Sequence, residues 1–178
     1  HAHSDHVGAL DQLRGALPAA EVLMTDRSAR LLQGERTLEI DGEVVAIPGR
    51  WPRRVTRPTR TIAPGDRIGS LQVIAAPGHA PDQVAFLDTR DRTLIAGDAF
   101  QTRGDVAVSG TIVPTFPFPS IFTWDKDAAL DSARLLRSLE PSRLATGHGP
   151  VLEDPLPAMD RAIAVAQRKL ADRVAHGA

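Results

Sequence analysis

The chain has 178 residues, enough for one domain with its own core but too few for two large ones. Hydrophobic residues make up 42% and charged residues 24%, as in ordinary globular proteins, and the formal net charge of −1 argues against recruitment of nucleic acid or an anionic membrane by a global field. Cysteine is absent, which excludes disulfides, a thiol nucleophile and thiolate metal ligands, and no apolar run is long enough to span a bilayer.

Local patterns in the first part of the chain predict short helices and strands. Helical spacing, capping residues and alternation predict, in chain order, a helix over Val7–Leu17, a strand over Glu21–Met24, a helix capped by Asp26 that runs through Leu32 and stops at Gly34, and a hairpin over Thr37–Ile47 around the turn Asp41-Gly42. The stretch 48–64 is expected to be irregular and basic.

The second part is predicted to contain a sheet flanked by helices. Apolar runs predict strands over Leu71–Ala75, Gln83–Leu87, Thr93–Ala96 and Arg143–Thr146. Helices are predicted from the N-cap Asp125 through Leu139 and over Pro157–Ala175, the latter with an apolar stripe of Met159, Ile163, Ala166, Leu170 and Val174. Strands mixed with helices favour a single layered α/β or α+β domain over residues 1–178.

The chain opens on a cluster of candidate metal ligands. His1-Ala2-His3-Ser4-Asp5-His6 places three histidines and one aspartate in six positions. Zinc, iron and manganese accept neutral imidazole and carboxylate ligands, and alternate side chains of an extended loop converge on one side. The alternative is an exposed polar segment or the remnant of a tag. We favour metal binding because the cluster contains Asp5 and leads directly into an amphipathic helix.

Three later segments share one pattern, in which an apolar strand leads to a polar residue beside glycine. They deliver His79, Asp98 and His148. A side chain at such a strand end can be held rigidly while the backbone approaches a ligand. Each residue alone is more typical of a turn or cap. Five of the six histidines nevertheless lie in these motifs and the opening cluster, and only His176 lies outside them, so the pattern predicts one shared site.

Together these motifs resemble the signature of the metallo-β-lactamase superfamily: His-x-His-x-Asp-His, then Gly-His, then an aspartate after an apolar strand, then a final Gly-His. The resemblance runs in the family's order from His1 to about Pro150. It implies an αββα sandwich with two metals at one edge between the sheets. It also implies the ligands: His1, His3 and His79 for the first metal, Asp5, His6 and His148 for the second, and Asp98 as the bridge.

Departures from the family pattern indicate which branch of the superfamily the chain resembles. The broadest-spectrum β-lactamases carry cysteine in place of the bridging aspartate and lack the second histidine of the first motif; Asp98 and His6 are both present here, which favours the glyoxalase II, lactonase and general hydrolase branch. The glutathione-binding extension of glyoxalase II has no room after Pro150, and without tyrosine the residue that assists quorum-signal lactonases cannot be present. After His79 the chain reads Ala80-Pro81-Asp82-Gln83, where many relatives carry Thr and a Gly, and no ligand is lost. The strands that precede the first motif in relatives are missing, so we expect a C-terminal portion of a longer chain.

The resemblance implies a dinuclear hydrolase. Two divalent metals lower the pKa of a bridging water, hydroxide attacks a carbonyl or phosphoryl centre, and Asp5 orients the hydroxide or shuttles its proton. Nitrogen and oxygen ligands suit zinc, with iron and manganese as alternatives. We expect a small ester, thioester or lactone as substrate. A phosphodiesterase or nuclease of the same fold and a non-catalytic scaffold are the alternatives.

Two segments are candidates for substrate binding. Residues 99–124 hold five of the seven aromatic residues; an apolar substrate wall is expected from Phe116, Phe118, Phe122 and Trp124, with a core seal or dimer contact as an equal alternative. The second segment is a basic run, for which a solvated loop is the more typical interpretation and a clamp for carboxylate or phosphate is the alternative. Its arginines are Arg50, Arg53, Arg54, Arg57 and Arg60.

The expected partner is a small-molecule substrate. A homodimer is left open, and neither nucleic acid nor a membrane is expected, because no nucleic-acid module accompanies the site. The absence of cysteine fits a cytoplasmic location, while a signal peptide upstream of His1 stays open because the chain does not begin with Met.

Overall fold

The computed structural model describes residues 1–40 and 42–175. Its helices are α1 (Ser4–Val7), α2 (Leu10–Ala16), α3 (Asp26–Gln33), α4 (Phe118–Ile121), α5 (Lys126–Ser138) and α6 (Leu156–Ala175). Its strands are β1 (Leu23–Met24), β2 (Thr37–Ile40), β3 (Glu43–Ala46), β4 (Arg60–Thr61), β5 (Arg67–Ile68), β6 (Leu71–Ala75), β7 (Val84–Asp88), β8 (Thr93–Ile95), β9 (Phe100–Gln101), β10 (Ala107–Val108), β11 (Arg143–Ala145) and β12 (Leu152–Glu153).

The main sheet has six strands in the order β12-β11-β8-β7-β6-β5. Strands β11 and β8 are parallel, and the other neighbours are antiparallel. Because β6 and β8 both run antiparallel to β7, the strands β6, β8 and β11 all point the same way. Their carboxyl ends therefore meet at one edge of the sheet, and the loops that leave this edge carry the predicted ligands.

One face of the sheet is covered by α5 and α6. Strand β7 alternates its side chains, so Ala85 and Leu87 join Leu136 of α5 and Met159 of α6 in the larger core. Asp125 starts α5 as predicted, since its side chain accepts hydrogen bonds from the backbone of the first turn. The loops at the carboxyl edge of the sheet therefore extend from a well-packed layer of strands and helices.

A second, smaller core is formed beside helices α1, α2 and α3. It contains Ala2, Leu31, Leu32, Ile47, Trp51 and Ala80. The strands beside it form two-stranded pairs, β1 with β4 in parallel and β2 with β3 as an antiparallel hairpin. Val84 and Phe86 on the other face of β7 line a cavity of about 220 Å³ together with residues of α1, α2 and β1. Two layers of helices thus flank mixed β structure, as the fold prediction stated.

The element predictions are mostly confirmed, with local corrections. The bounds of β6 match, whereas the helix predicted over Val7–Leu17 is two shorter helices that begin at Ser4. The predicted cap Asp26 is wrong: Thr25 is the N-cap of α3, and its side chain accepts a hydrogen bond from Ser28 N. The short strands β4, β5, β9, β10 and β12 and helix α4 were not predicted. Asp41, His176 and the side chain of Val174 lie outside what the structure describes.

No helix among the described residues combines the length and the apolar character that a membrane crossing requires.

Candidate metal centre

The sheet edge delivers three of the predicted ligands. His79 follows β6, Asp98 follows β8 and His148 follows β11. The glycine before His79 is required by packing, because Gly78 has a φ of 131° and a Cβ there would lie 2.2 Å from the backbone nitrogen of Ala129 in α5. Strand ends and a close approach to α5 therefore fix where the side chains begin.

The amino-terminal segment supplies the other four. His1 and His3 precede α1, whereas Asp5 and His6 lie within it. The expectation of one extended loop is therefore wrong for the second half of the cluster: a helical turn presents Asp5 and His6. Backbone hydrogen bonds from His6 N and Val7 N to His3 O close this turn.

A buried carboxylate ties this segment to the loop after β6. Asp82 is 3% exposed. Its Oδ2 accepts hydrogen bonds from Ala2 N at 2.9 Å and from Ser28 Oγ at 2.5 Å. Because Ala2 lies between His1 and His3, Asp82 holds the backbone from which both imidazoles project. Its partners are distant in sequence, so motif reading did not single it out for this role.

All seven predicted ligands come together. Ligand atoms that lie within 4.8 Å of one another form three groups: His1, His3 and His79; His1, His6 and Asp98; Asp5, His6 and His148. The first and third groups are the two triads that the resemblance implied.

Asp98 lies between the two triads. Its Oδ2 is 3.4 Å from His79 Nε2 on one side. On the other side it is 3.2 Å from His148 Nε2 and 3.4 Å from His6 Nε2. The side chain is 3% exposed. One buried carboxylate thus reaches histidines of both groups, which is the position that a bridging ligand occupies.

Several polar atoms of the cluster lack a partner within the described chain. The buried atoms without a hydrogen bond include His1 Nδ1, His1 Nε2, His3 Nε2 and Asp98 Oδ1. Buried polar groups are normally satisfied, and leaving one unsatisfied costs about 1–3 kcal/mol. Imidazole nitrogens and carboxylate oxygens converging at one place are suited to divalent cations. The residues therefore fit the two metals that the resemblance implied.

The local environment favours the protonation states that metal binding requires in His3, His79 and Asp98, but not in His148. Burial lowers the pKa of His3, and it lowers the pKa of His79 to about 4. Burial would raise the pKa of Asp98, but hydrogen bonds with His148 and His6 outweigh it and hold that pKa well below its usual range. The hydrogen bond to Asp98 raises the pKa of His148. At neutral pH Asp98 is ionised and His79 is neutral, as ligands must be.

Neighbouring polar groups hold the loop that carries Asp98. Asp98 N donates to Gln83 Oε1 at 3.3 Å, and Gln83 Nε2 donates to Ala76 O at 3.1 Å. Ser109 Oγ donates to the backbone oxygen of Asp98. The side chain of Gln83 therefore joins the end of β6 to the end of β8.

A second set of contacts orients His79. Its Nδ1 is 3.4 Å from Thr123 Oγ1, and that hydroxyl donates to Pro119 O at 2.6 Å. The opposite ring nitrogen, Nε2, faces Asp98. The loop after α4 thus sets the rotation of the ring. No sequence signal distinguished Gln83 or Thr123 from other polar loop residues.

The seven predicted ligands form one group, the ligand cluster: His1, His3, Asp5, His6, His79, Asp98 and His148. A cavity of about 430 Å³ opens beside this cluster. Phe116, Phe118 and Phe122 line it, as do Arg50 and Arg103. Trp124, predicted to share this wall, does not line the cavity. It directly precedes Asp125, the N-cap of α5, and its backbone N–H donates to His79 O at 3.1 Å. Its side chain packs against the smaller core.

Comparison with known proteins agrees with this geometry. The model of the metallo-beta-lactamase superfamily matches residues 1–148. The chain belongs to the metallo-β-lactamase superfamily. It is 48% identical over 169 residues to the uncharacterized protein YobT of Bacillus subtilis (strain 168), covering 94% of the chain and 72% of YobT. It is 27% identical to the probable metallo-hydrolase YflN of the same organism, covering 84% of the chain and 62% of YflN.

Solved structures of the superfamily share the fold. The crystal structure of TTHA1623 in a di-iron-bound form is 33% identical, with a TM-score of 0.61 over 89% of this chain and 71% of that one. The BLEG-1 B3 metallo-beta-lactamase is 20% identical, with a TM-score of 0.60 over 90% of this chain and 71% of that one, which shows the fold alone. Family membership assigns the chain to the metallo-hydrolases.

Proposed function

We propose that the chain is a dinuclear metal-dependent hydrolase that acts on a small ester, thioester or lactone. The proposal rests on the position of Asp98, because one of its two carboxylate oxygens, Oδ2, lies within 3.4 Å of histidines from both triads. A mononuclear site needs no carboxylate between two sets of histidines. The di-iron form of TTHA1623 supports two metals in a relative of this fold.

The proposed ligands are those that the resemblance implied. They are His1, His3 and His79 for one metal, Asp5, His6 and His148 for the other, and Asp98 between them. When bound, two divalent cations supply Lewis acidity and a water of lowered pKa. We propose zinc, since the donor set is nitrogen and oxygen, with iron or manganese as the alternatives.

Asp5 is the proposed catalytic residue. Its side chain is 56% exposed, and it lines the cavity. Its Oδ2 is 3.3 Å from His148 Nε2 and 3.6 Å from His6 Nε2. Among the carboxylates that line the cavity, Asp5 is open to solvent whereas Asp98 is buried. Asp5 is therefore placed to orient the attacking water and to pass its proton towards solvent.

The phenylalanines are proposed to bind the apolar part of the substrate. Phe116 and Phe118 pack edge to face with centroids 5.6 Å apart, and Phe116 lies 5.0 Å from the ring of His148. Phe118 is 56% exposed, so it offers apolar surface to a ligand. These rings would hold an acyl or leaving group next to the ligand cluster and exclude water from it.

Turnover by the metal-loaded chain tests the proposal. An aryl ester, a lactone, a thioester and a bis-aryl phosphodiester are offered to the chain and to two variants. Asp98→Ala should abolish turnover, whereas Asp131→Ala, which changes an exposed residue of α5, should leave it unchanged. Hydrolysis of the phosphodiester in preference to the other three would favour the phosphodiesterase alternative. Inactivity on all four with both metals bound would favour the scaffold.

A further inference from the structure

Two arginines line the cavity beside the ligand cluster, and neither is paired with a carboxylate in the described chain. Arg50 and Arg103 are both exposed residues of the cavity wall. Several other guanidinium groups either have an acidic partner, as Arg137 has Asp160 at 2.5 Å, or donate to backbone oxygens, as Arg14 does to Pro18 O and Ala20 O. Within the described chain, the cavity therefore contains two guanidinium groups with no acidic partner.

Two other arginines of the same basic stretch are engaged differently. Arg54 donates to Val7 O and Gly8 O, and Arg57 donates to Arg54 O and Val55 O. These side chains hold the loop and do not line the cavity. Its position in the cavity wall therefore distinguishes Arg50 from the arginines that stabilise the loop.

Both arginines are fixed to backbone that carries metal ligands. Arg50 O accepts a hydrogen bond from Ser4 N at 2.9 Å, beside His3. On the other side, Thr102 N donates to His148 O at 2.9 Å, and the guanidinium of the next residue, Arg103, lies 4.6 Å above the ring of Phe116. The fold therefore sets where both side chains begin relative to the cluster.

Nothing that lines the cavity is left to neutralise them once the cluster holds metals. The carboxylates of the wall are Asp5 and Asp98, and both belong to the ligand cluster. Guanidinium groups recognise carboxylate and phosphate through paired N–H donors. On the basis of the function proposed above, we propose that Arg50 and Arg103 bind an anionic group of the substrate, a carboxylate or a phosphate, remote from the bond that is hydrolysed.

A matched set of esters tests this substrate class. Ethyl hexanoate, monoethyl adipate and ethyl 5-phosphonopentanoate share the same acyl chain and differ in the terminal group, which is methyl, carboxylate or phosphonate. Hydrolysis by the zinc-loaded chain is followed by pH-stat titration. At least one anionic ester should exceed ethyl hexanoate in kcat/KM by about tenfold, the size expected for charge-assisted hydrogen bonds that stay partly solvated. The ranking of the two anionic esters separates a carboxylate from a phosphate.

Variants of the chain assign the preference to the two arginines. In the double variant Arg50→Ala/Arg103→Ala the ratio of anionic to neutral kcat/KM should fall close to one, and each single variant should lie between. Arg53→Ala is the matched control, because Arg53 is in the same stretch but lies beside Gly34 and not in the cavity wall. It should keep the preference of the unmodified chain.

A binding measurement keeps this inference separate from the proposed function. Adipate and hexanoate each offer one carboxylate to the metals, and adipate alone has a second. Calorimetry with the zinc-loaded chain should give a Kd for adipate, or for 5-phosphonopentanoate, about tenfold lower than for hexanoate, with the difference lost in the double variant. This readout needs no turnover. Equal affinities, or a preference that survives in the double variant, would overturn the inference even if the esters are hydrolysed.

Discussion

Replacing Gly147 by alanine would place a methyl group inside the ligand cluster. Gly147 precedes the proposed ligand His148, and its N–H donates to Gly97 O at 2.8 Å. Its φ is outside the left-handed region, so the backbone accepts alanine without strain. The added Cβ would lie 2.2 Å from Asp98 Oδ1 and 2.7 Å from His6 Cε1. The substitution therefore acts on the site and not on backbone conformation.

The size of the effect follows from these two distances. Ordinary van der Waals contact begins at 3.4 Å, so Asp98 or the strand end must retreat by more than 1 Å. Displacement of this size costs roughly 100-fold in rate, and loss of ligand orientation costs about 10–100-fold in metal affinity. Overpacking should destabilise the metal-free fold by about 1–3 kcal/mol.

Metal affinity is measured by competition with a chromophoric chelator, and the fold by thermal melting of the metal-free protein. Gly15→Ala is the control, because a Cβ there meets nothing within 4 Å and the residue lies in α2. It should leave metal affinity unchanged and raise stability by about 0.5–1 kcal/mol. If Gly147→Ala binds metal as tightly as the unmodified chain, the reasoning about the crowded cluster is refuted.

Further variants at three positions probe the support of the site, the core and a surface ion pair. Asp82→Ala removes the acceptor of Ala2 N and should weaken metal binding by about 10–100-fold, whereas Asp82→Asn, which keeps one acceptor oxygen, should recover part of it. Leu136→Ala, at a position with no exposed surface, should lower the free energy of unfolding by about 2–5 kcal/mol in urea titrations. Arg137→Met removes the partner of Asp160, and the hydrogen bond from Arg137 lowers the pKa of that carboxyl. The variant should therefore be less stable than the unmodified chain at neutral pH, and the difference in the free energy of unfolding should vanish as Asp160 protonates in acid. A stability difference for Arg137→Met that persists in acid would contradict this pairing.

The main sheet and its helices were predictable because local pattern and tertiary structure agree there. The run Leu71–Ala75 forms a strand with the predicted bounds, and Asp125 caps α5 as predicted. The missed strands are two residues long, such as Leu152–Glu153. Strands this short arise from pairing with a neighbour, here β11, and carry no periodicity of their own.

The convergence of the proposed ligands was predictable because they lie in four recognisable motifs, whereas the positions of their neighbours were not predictable. Asp82 acts on Ala2 across 80 positions of sequence, and on Ser28 across 54. Trp124 was predicted to line the cavity only because its segment is rich in aromatic residues. An aromatic residue in such a loop can face either the cavity or a core, and Trp124 packs against the smaller core. Arg50 was one of five equivalent arginines in the sequence; its position in the cavity wall separates it from the others.

The metal content of the chain tests the central claim most directly. The purified chain is loaded with excess zinc and desalted. Its zinc content is then measured by inductively coupled plasma mass spectrometry and divided by the protein concentration. Two ions per chain are predicted for the unmodified sequence, and fewer than two for Asp98→Ala, because Asp98 contacts histidines of both triads. One ion or none in the unmodified chain, or two retained in Asp98→Ala, would contradict a dinuclear centre bridged by Asp98.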